Sequence, residues 1–173
     1  MQIYPSVALV LLAVAFQANA QATNWRTASL TAHNKYRSKH GSPALALADD
    51  VNTSAQKCAD YLASKKQMAH ICREKFGHNY GENLASGSGL GATAEKAGVT
   101  STDMWYNEEP KYDYSKNAFQ PAAGHFSQVV WKSSARLGMG YAVNGSFKIV
   151  VAHYDPAGNM GGQYTANVQR PQN

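Results

Sequence analysis

Two apolar runs in the C-terminal part of the chain, Leu137 to Val143 and Phe147 to Tyr154, flank the dipeptide Asn144-Gly145. Asn-Gly favours the positive backbone angles of a two-residue turn, so the runs predict a β-hairpin. Val129-Val130-Trp131 is short and apolar and is expected to add a further strand to the same sheet. Upstream, the apolar period changes from two to between three and four. Trp25, Ala28, Ala32 and Tyr36 mark a first helix, stopped by Gly41-Ser42-Pro43. A second helix follows Asp49-Asp50, which can cap it and complement its dipole, with the stripe Leu47, Val51, Ala55, Cys58 and Leu62. A third is expected over about Ala94 to Glu108, with Ala94, Ala97, Ser101, Met104 and Trp105 on one side. Gly98 within it costs about 1 kcal/mol relative to Ala. Helices in the first half and strands in the second predict an α+β domain with helices layered on a sheet.

The apolar run Val7 to Phe16 is too short to cross a bilayer, and Ala18-Asn19-Ala20 after it has the small residues of a cleavage site. Residues 1–20 are therefore expected to be a secretory signal peptide, leaving 21–173 as one soluble domain without internal repeats. The oxidising compartment that such a peptide implies suits a bridge between Cys58 and Cys72, although spacing alone leaves open two thiols that never meet. Asn52-Thr53-Ser54 and Asn144-Gly145-Ser146 match the N-glycan acceptor pattern. Sixteen Lys and Arg against 11 Asp and Glu favour anionic surfaces such as a membrane or cell wall. These charges are scattered, the longest cationic run is Lys65-Lys66, and no nucleic-acid module is recognisable, so no nucleic-acid partner is expected.

Six histidines, at 33, 40, 70, 78, 125 and 153, are the first candidates for chemistry. Two contexts stand out: Gly81-Glu82-Asn83-Leu84 after His70 and His78, and Trp105-Tyr106-Asn107-Glu108 ahead of Gly124-His125-Phe126. The ten residues from Gly124 to Ser133, Gly-His-Phe-Ser-Gln-Val-Val-Trp-Lys-Ser, resemble the first signature of the CAP superfamily, which groups cysteine-rich secretory proteins, venom antigens and plant pathogenesis-related proteins. His153-Tyr154-Asp155-Pro156-Ala157-Gly158-Asn159 resembles the second signature and Gly81 to Ala85 a third. His33-Asn34-Lys35-Tyr36-Arg37, with Gly41-Ser42-Pro43 and Leu45, is similar to the family's opening helix and turn. The resemblance implies a three-layer α-β-α sandwich of the CAP type around a mainly antiparallel sheet. It also implies a central cleft where two histidines and two acids converge, here His125, Glu82, Glu108 and His70, with His78 as the alternative to His70.

Two neutral imidazoles suit Zn2+ or another divalent ion at an open site, with the glutamates orienting the imidazoles or bound water. A metal-dependent hydrolase would need more. No His-Glu-x-x-His helix or Gly-x-Ser-x-Gly elbow is present, Ser54-Ala55-Gln56-Lys57 lacks the companion motifs of a Ser-x-x-Lys enzyme, and Ser127 is a nucleophile by proximity to His125 only. The segment from Glu109 to Ala123 carries Tyr112, Tyr114 and Phe119 in polar company, and similar segments of sterol-binding family members form an aromatic loop. The expected activity is therefore non-catalytic: a secreted, monomeric binder of sterol or fatty-acid-like lipid with a defence or host-interaction role. The alternatives are an extracellular protein-binding effector and a metal-dependent hydrolase.

Overall fold

A computed structural model describes residues 25–172. The expected signal peptide over 1–20 lies outside them. Residues 25–39 form helix α1, followed by β1 (Ala46–Leu47), α2 (Asp49–Lys65), α3 (Cys72–Phe76), β2 (Gly81–Ser86), α4 (Ala94–Tyr106), α5 (Gly124–Val129), β3 (Arg136–Asn144), β4 (Phe147–Asp155) and α6 (Tyr164–Asn167). The sheet runs in the order β1-β3-β4-β2, with β1 parallel to β3 and the other pairs antiparallel. The predicted hairpin is β3-β4, closed at the register Asn144 to Phe147, with Gly145 at φ +62°.

Alternation along the strands divides the core in two. Leu84, Ile149 and Val151 pack with Ala55, Cys58, Ala59 and Leu62 of α2 on one face. Ala85, Val150, Ala152 and Tyr154 pack with Trp105, Phe126 and Val129 on the other. The fold is thus the α-β-α sandwich. On the first face α2 lies almost on the backbone of β3: a Cβ at Gly138 would fall 2.2 Å from the Val51 carbonyl, and one at Gly140 would fall 2.2 Å from that of Ala55. Only glycine permits so close an approach at these two positions.

Several expectations change. Val129-Val130-Trp131 is not a strand: Val129 ends α5, and all three residues are buried. The cause is Arg37, fully buried on α1, whose guanidinium donates to the carbonyls of Pro43, Val129, Trp131 and Ser134 at 2.8 to 3.0 Å. Ser42 Oγ takes the Val130 carbonyl at 2.7 Å. These bonds hold the segment against the opening helix and turn, where it closes α5 instead of pairing with a strand. The buried face of α1 is accordingly polar as well as apolar, with Ser29, His33 and Arg37 beside Trp25 and Ala32.

On α4 the buried residues are Ala97, Gly98, Ser101, Thr102 and Trp105, while Met104 is exposed. Gly98 marks the crossing with α1, where a Cβ would come 2.1 Å from Ser29 Oγ. Neither Asp49 nor Asp50 caps α2: its N-cap is Ala48, both acids lie in the first turn, and Asp50 pairs with Arg136 at 2.9 Å. Leu47 belongs to β1 rather than to the α2 stripe. Asn52 is buried, its Oδ1 accepting the Met139 N–H at 3.0 Å.

Candidate functional site

Cys58 on α2 and Cys72 at the start of α3 form a disulfide. It fastens the ends of a segment that carries His70 across the edge strand β2. There His70 Nδ1 meets Glu82 Oε1 at 2.7 Å. The other oxygen, Oε2, faces His153 Nε2 at 3.1 Å, because Glu82 and His153 are register partners on adjacent strands and share a face. Burial by itself would push the Glu82 carboxyl up, but the hydrogen bonds from His153 and His70 outweigh it and hold the group down to about 2. Glu82 is a carboxylate at any physiological pH.

Glu108 follows the end of α4 and accepts three contacts on two oxygens from one short stretch of chain. Oε2 takes the backbone N–H groups of His125 and Phe126 at 3.0 and 3.2 Å, and Oε1 bonds His125 Nδ1 at 2.7 Å. The third of these contacts is the shortest, and the other two satisfy orphan donors at the start of α5. Trp105 stacks on the His125 ring at 6.3 Å and 23°, with its indole N–H fixed on the Leu84 carbonyl at 3.0 Å.

His70 and His125 line one cavity of about 290 Å³ with Glu82, Asn83, Phe119 and Asn159. Both Nδ1 atoms are occupied by carboxylates, which fixes Nδ1–H and leaves the Nε2 lone pair of each ring without a hydrogen bond among the described residues. This carboxylate–imidazole arrangement suits a divalent ion at Nε2. A second cavity of about 170 Å³ shares His125 and is walled by Met68, Leu84, Met104 and Trp105. His78, the alternative to His70, does not line the first cavity.

Beneath the cleft lies a polar relay that sequence reasoning did not anticipate. His33 Nδ1 donates to the Ser29 carbonyl at 2.8 Å, which makes Nε2 the acceptor for the Tyr154 hydroxyl at 2.8 Å. Asn83 Nδ2 reaches both Tyr154 Oη at 3.3 Å and the His125 carbonyl at 3.1 Å. Each of the four sequence motifs contributes one member. Burial pushes the His33 imidazole down to about 4 and pushes the Tyr154 phenol up.

Of the three aromatic loop residues, Tyr112 is buried edge-on to Phe126 and Tyr114 is half-buried, bonded to Glu109 at 2.7 Å. Phe119 alone is exposed, lining the cavity and covering Gly124. Ser127 Oγ is engaged by Asn159 Oδ1 at 2.6 Å and the Gly124 carbonyl at 3.1 Å, not by an imidazole.

A model of CAP, the cysteine-rich secretory protein family, matches residues 30–154. Golgi-associated plant pathogenesis-related protein 1 of Homo sapiens is 38% identical over 132 residues, covering 76% of this chain and 82% of that protein. Pathogenesis-related protein 1A of Nicotiana tabacum is 36% identical over 161 residues, covering 91% of this chain and 90% of the relative. The solved structure of NaASP2 with Zn2+ superposes with a TM-score of 0.65 over 85% of each chain, and at 22% identity that likeness is one of fold.

Proposed function

Because this chain belongs to the CAP family of cysteine-rich secretory proteins, we propose that it is a secreted, non-catalytic binding protein that takes a sterol or fatty-acid-like lipid at its cleft. The role that follows is one of defence or host interaction outside the cell. The observation that carries the lipid reading is the distribution of exposed large apolar side chains. Among the described residues these are Met68, Met104, Phe119, Val143 and Met160, and the first three rim the two cavities that share His125. Apolar groups gathered at one concave place, with a few convergent polar groups, favour an apolar ligand. Burying them gains about 25 cal/mol per Å².

His70 and His125 would hold a Zn2+ ion through Nε2, with Glu82 and Glu108 fixing the ring orientations, and NaASP2, of the same fold, has been solved with Zn2+. The ion would supply a positive charge beside the apolar rim, suited to a lipid carboxylate or hydroxyl. The protein should pellet with sterol-containing vesicles, with Phe119→Ala and Met104→Ser each lowering the retained fraction several-fold. Absence of retention of the unaltered protein would overturn the lipid reading. For the metal, His70→Ala with His125→Ala should lower zinc uptake by one equivalent.

A second reading, a surface that binds an anionic protein, draws on the cationic–aromatic face of α2 and α3. There Lys57 Nζ sits 4.5 Å over Phe76 and Lys75 Nζ 4.4 Å over Tyr61.

A further inference from the structure

His78 and His153 make a pair that the cleft does not use. Their ring centroids are 4.5 Å apart, at 52°. His153 is fully buried on β4, opposite Gly138 on one neighbouring strand and Glu82 on the other. His78 covers it from the segment between α3 and β2. Each ring has a buried nitrogen with no hydrogen-bond partner, Nε2 of His78 and Nδ1 of His153. Such orphans are rare among native buried polar groups. Because His153 turns its Nε2 to Glu82, its Nδ1 faces away from that carboxylate, and the unpartnered Nε2 of His78 is the one that points to a missing bound species.

Glu82 closes the arrangement. One ligand atom from each of His78, Glu82 and His153 can be chosen so that all three lie within 4.8 Å of one another. The 3.1 Å from Glu82 Oε2 to His153 Nε2 is close to the spacing of two donors sharing an ion at about 2.0–2.1 Å from each. The Tyr80 N–H approaches His78 Nδ1 at 3.4 Å, longer than the ordinary range, so it does not commit the tautomer of that ring.

We propose that His78, Glu82 and His153 form a second metal site, behind the cleft, for a borderline first-row divalent ion of the Zn2+ type. Two imidazoles and one carboxylate are the donor set such ions prefer over Ca2+ or Mg2+, which take oxygen. With His153 fully buried and His78 and Glu82 partly so, the ion would act as a structural clamp, tying the segment between α3 and β2 onto the sheet. Glu82, with Oε1 on His70 and Oε2 at the new site, would orient one site while ligating the other. The assignment does not depend on the cleft reading, since neither His70 nor His125 is a ligand here.

The test uses the His70→Ala and His125→Ala double variant, in which the cleft imidazoles are gone, titrated with Zn2+ alone. It should take up one equivalent, move the imidazole nitrogen resonances of His78 and His153, and raise the thermal midpoint. Adding His78→Gln should weaken that uptake at least tenfold while leaving the metal-free circular dichroism unchanged. The resonance shifts need no further substitution, so they decide the matter even if His78→Gln disturbs the fold. No zinc uptake by the double variant, or uptake with both sets of resonances unmoved, would overturn the second site. Equal uptake by the unaltered protein and the double variant would instead sink the cleft reading and leave this one standing.

Discussion

His33 shows how a single buried residue sets the pH range of the fold. Desolvation dominates its environment and pushes the imidazole down to about 4, with the Ser29 carbonyl opposing that shift and the Arg37 charge adding to it. In the unfolded chain the same ring titrates near 6.5, so below that pH the unfolded state binds a proton that the folded state refuses. Stability contributed by neutral His33 is complete above about pH 6.5 and lost as the pH falls toward 4, a change of about 3 kcal/mol at 1.36 kcal/mol per unit. Urea unfolding at intervals across that window should show the midpoint falling as acid is added. His33→Gln should flatten the fall, and an identical slope in the variant would show that another group carries it. Glu82, Glu108 and His125 could be read from the sequence because each sits inside a local motif, whereas His70 lies outside any and has His78 as its alternative. His153 was not legible as a partner of Glu82, because that pairing depends on strand register across 71 residues and no local pattern encodes it.

At the scale of elements, what the sequence disclosed followed from period and turn chemistry. The β3-β4 hairpin was readable because Asn144-Gly145 specifies its own turn, and α2 because its apolar stripe has a helical period. Val129 to Trp131 misled because three apolar residues suit a buried strand and a buried helix end equally, and the choice was made by Arg37 some ninety residues earlier. Gly98 looked like a flaw in α4 and is instead the point where α1 crosses it. Gly138 is the sharper case, since the atoms that an added Cβ would strike belong to the α2 backbone: Val51 C and O at 2.2 Å and Asn52 N at 2.5 Å. A helix cannot rotate these out of the way as a side-chain tip could, so α2 would have to lift from the sheet. Gly138→Ala should destabilise by at least the roughly 1–3 kcal/mol typical of overpacking. Gly161→Ala, with no atom within 4 Å of the added carbon, should stay within about 0.5 kcal/mol. Parallel chemical denaturation of the two variants gives the comparison, and equal midpoints would refute the close-approach account.

Across the whole molecule the cleft draws on all three layers: His70 from the segment after α2, Glu82 and Asn83 from the edge strand, and Glu108 and His125 from the α4-α5 side. Its geometry therefore depends on how the layers are held together as well as on its own residues. On the α2 side the fastening is covalent, because the Cys58–Cys72 disulfide spans the segment that bears His70. On the other side Glu108 holds His125 by ring and backbone at once, and that clamp involves no cysteine. Replacing both cysteines by Ala should then act unevenly. Releasing a loop of this length costs about 3 kcal/mol in the chain-entropy description. His70, already mostly exposed, would lose its restraint over β2, while His125 would keep its contacts. The expected outcome is a lower thermal midpoint together with weaker zinc binding, and no change in the ring resonances of His125. If the double Ala variant bound zinc as tightly as the unaltered protein at a temperature where both are folded, the disulfide would serve stability alone and the placement of His70 would rest on Glu82.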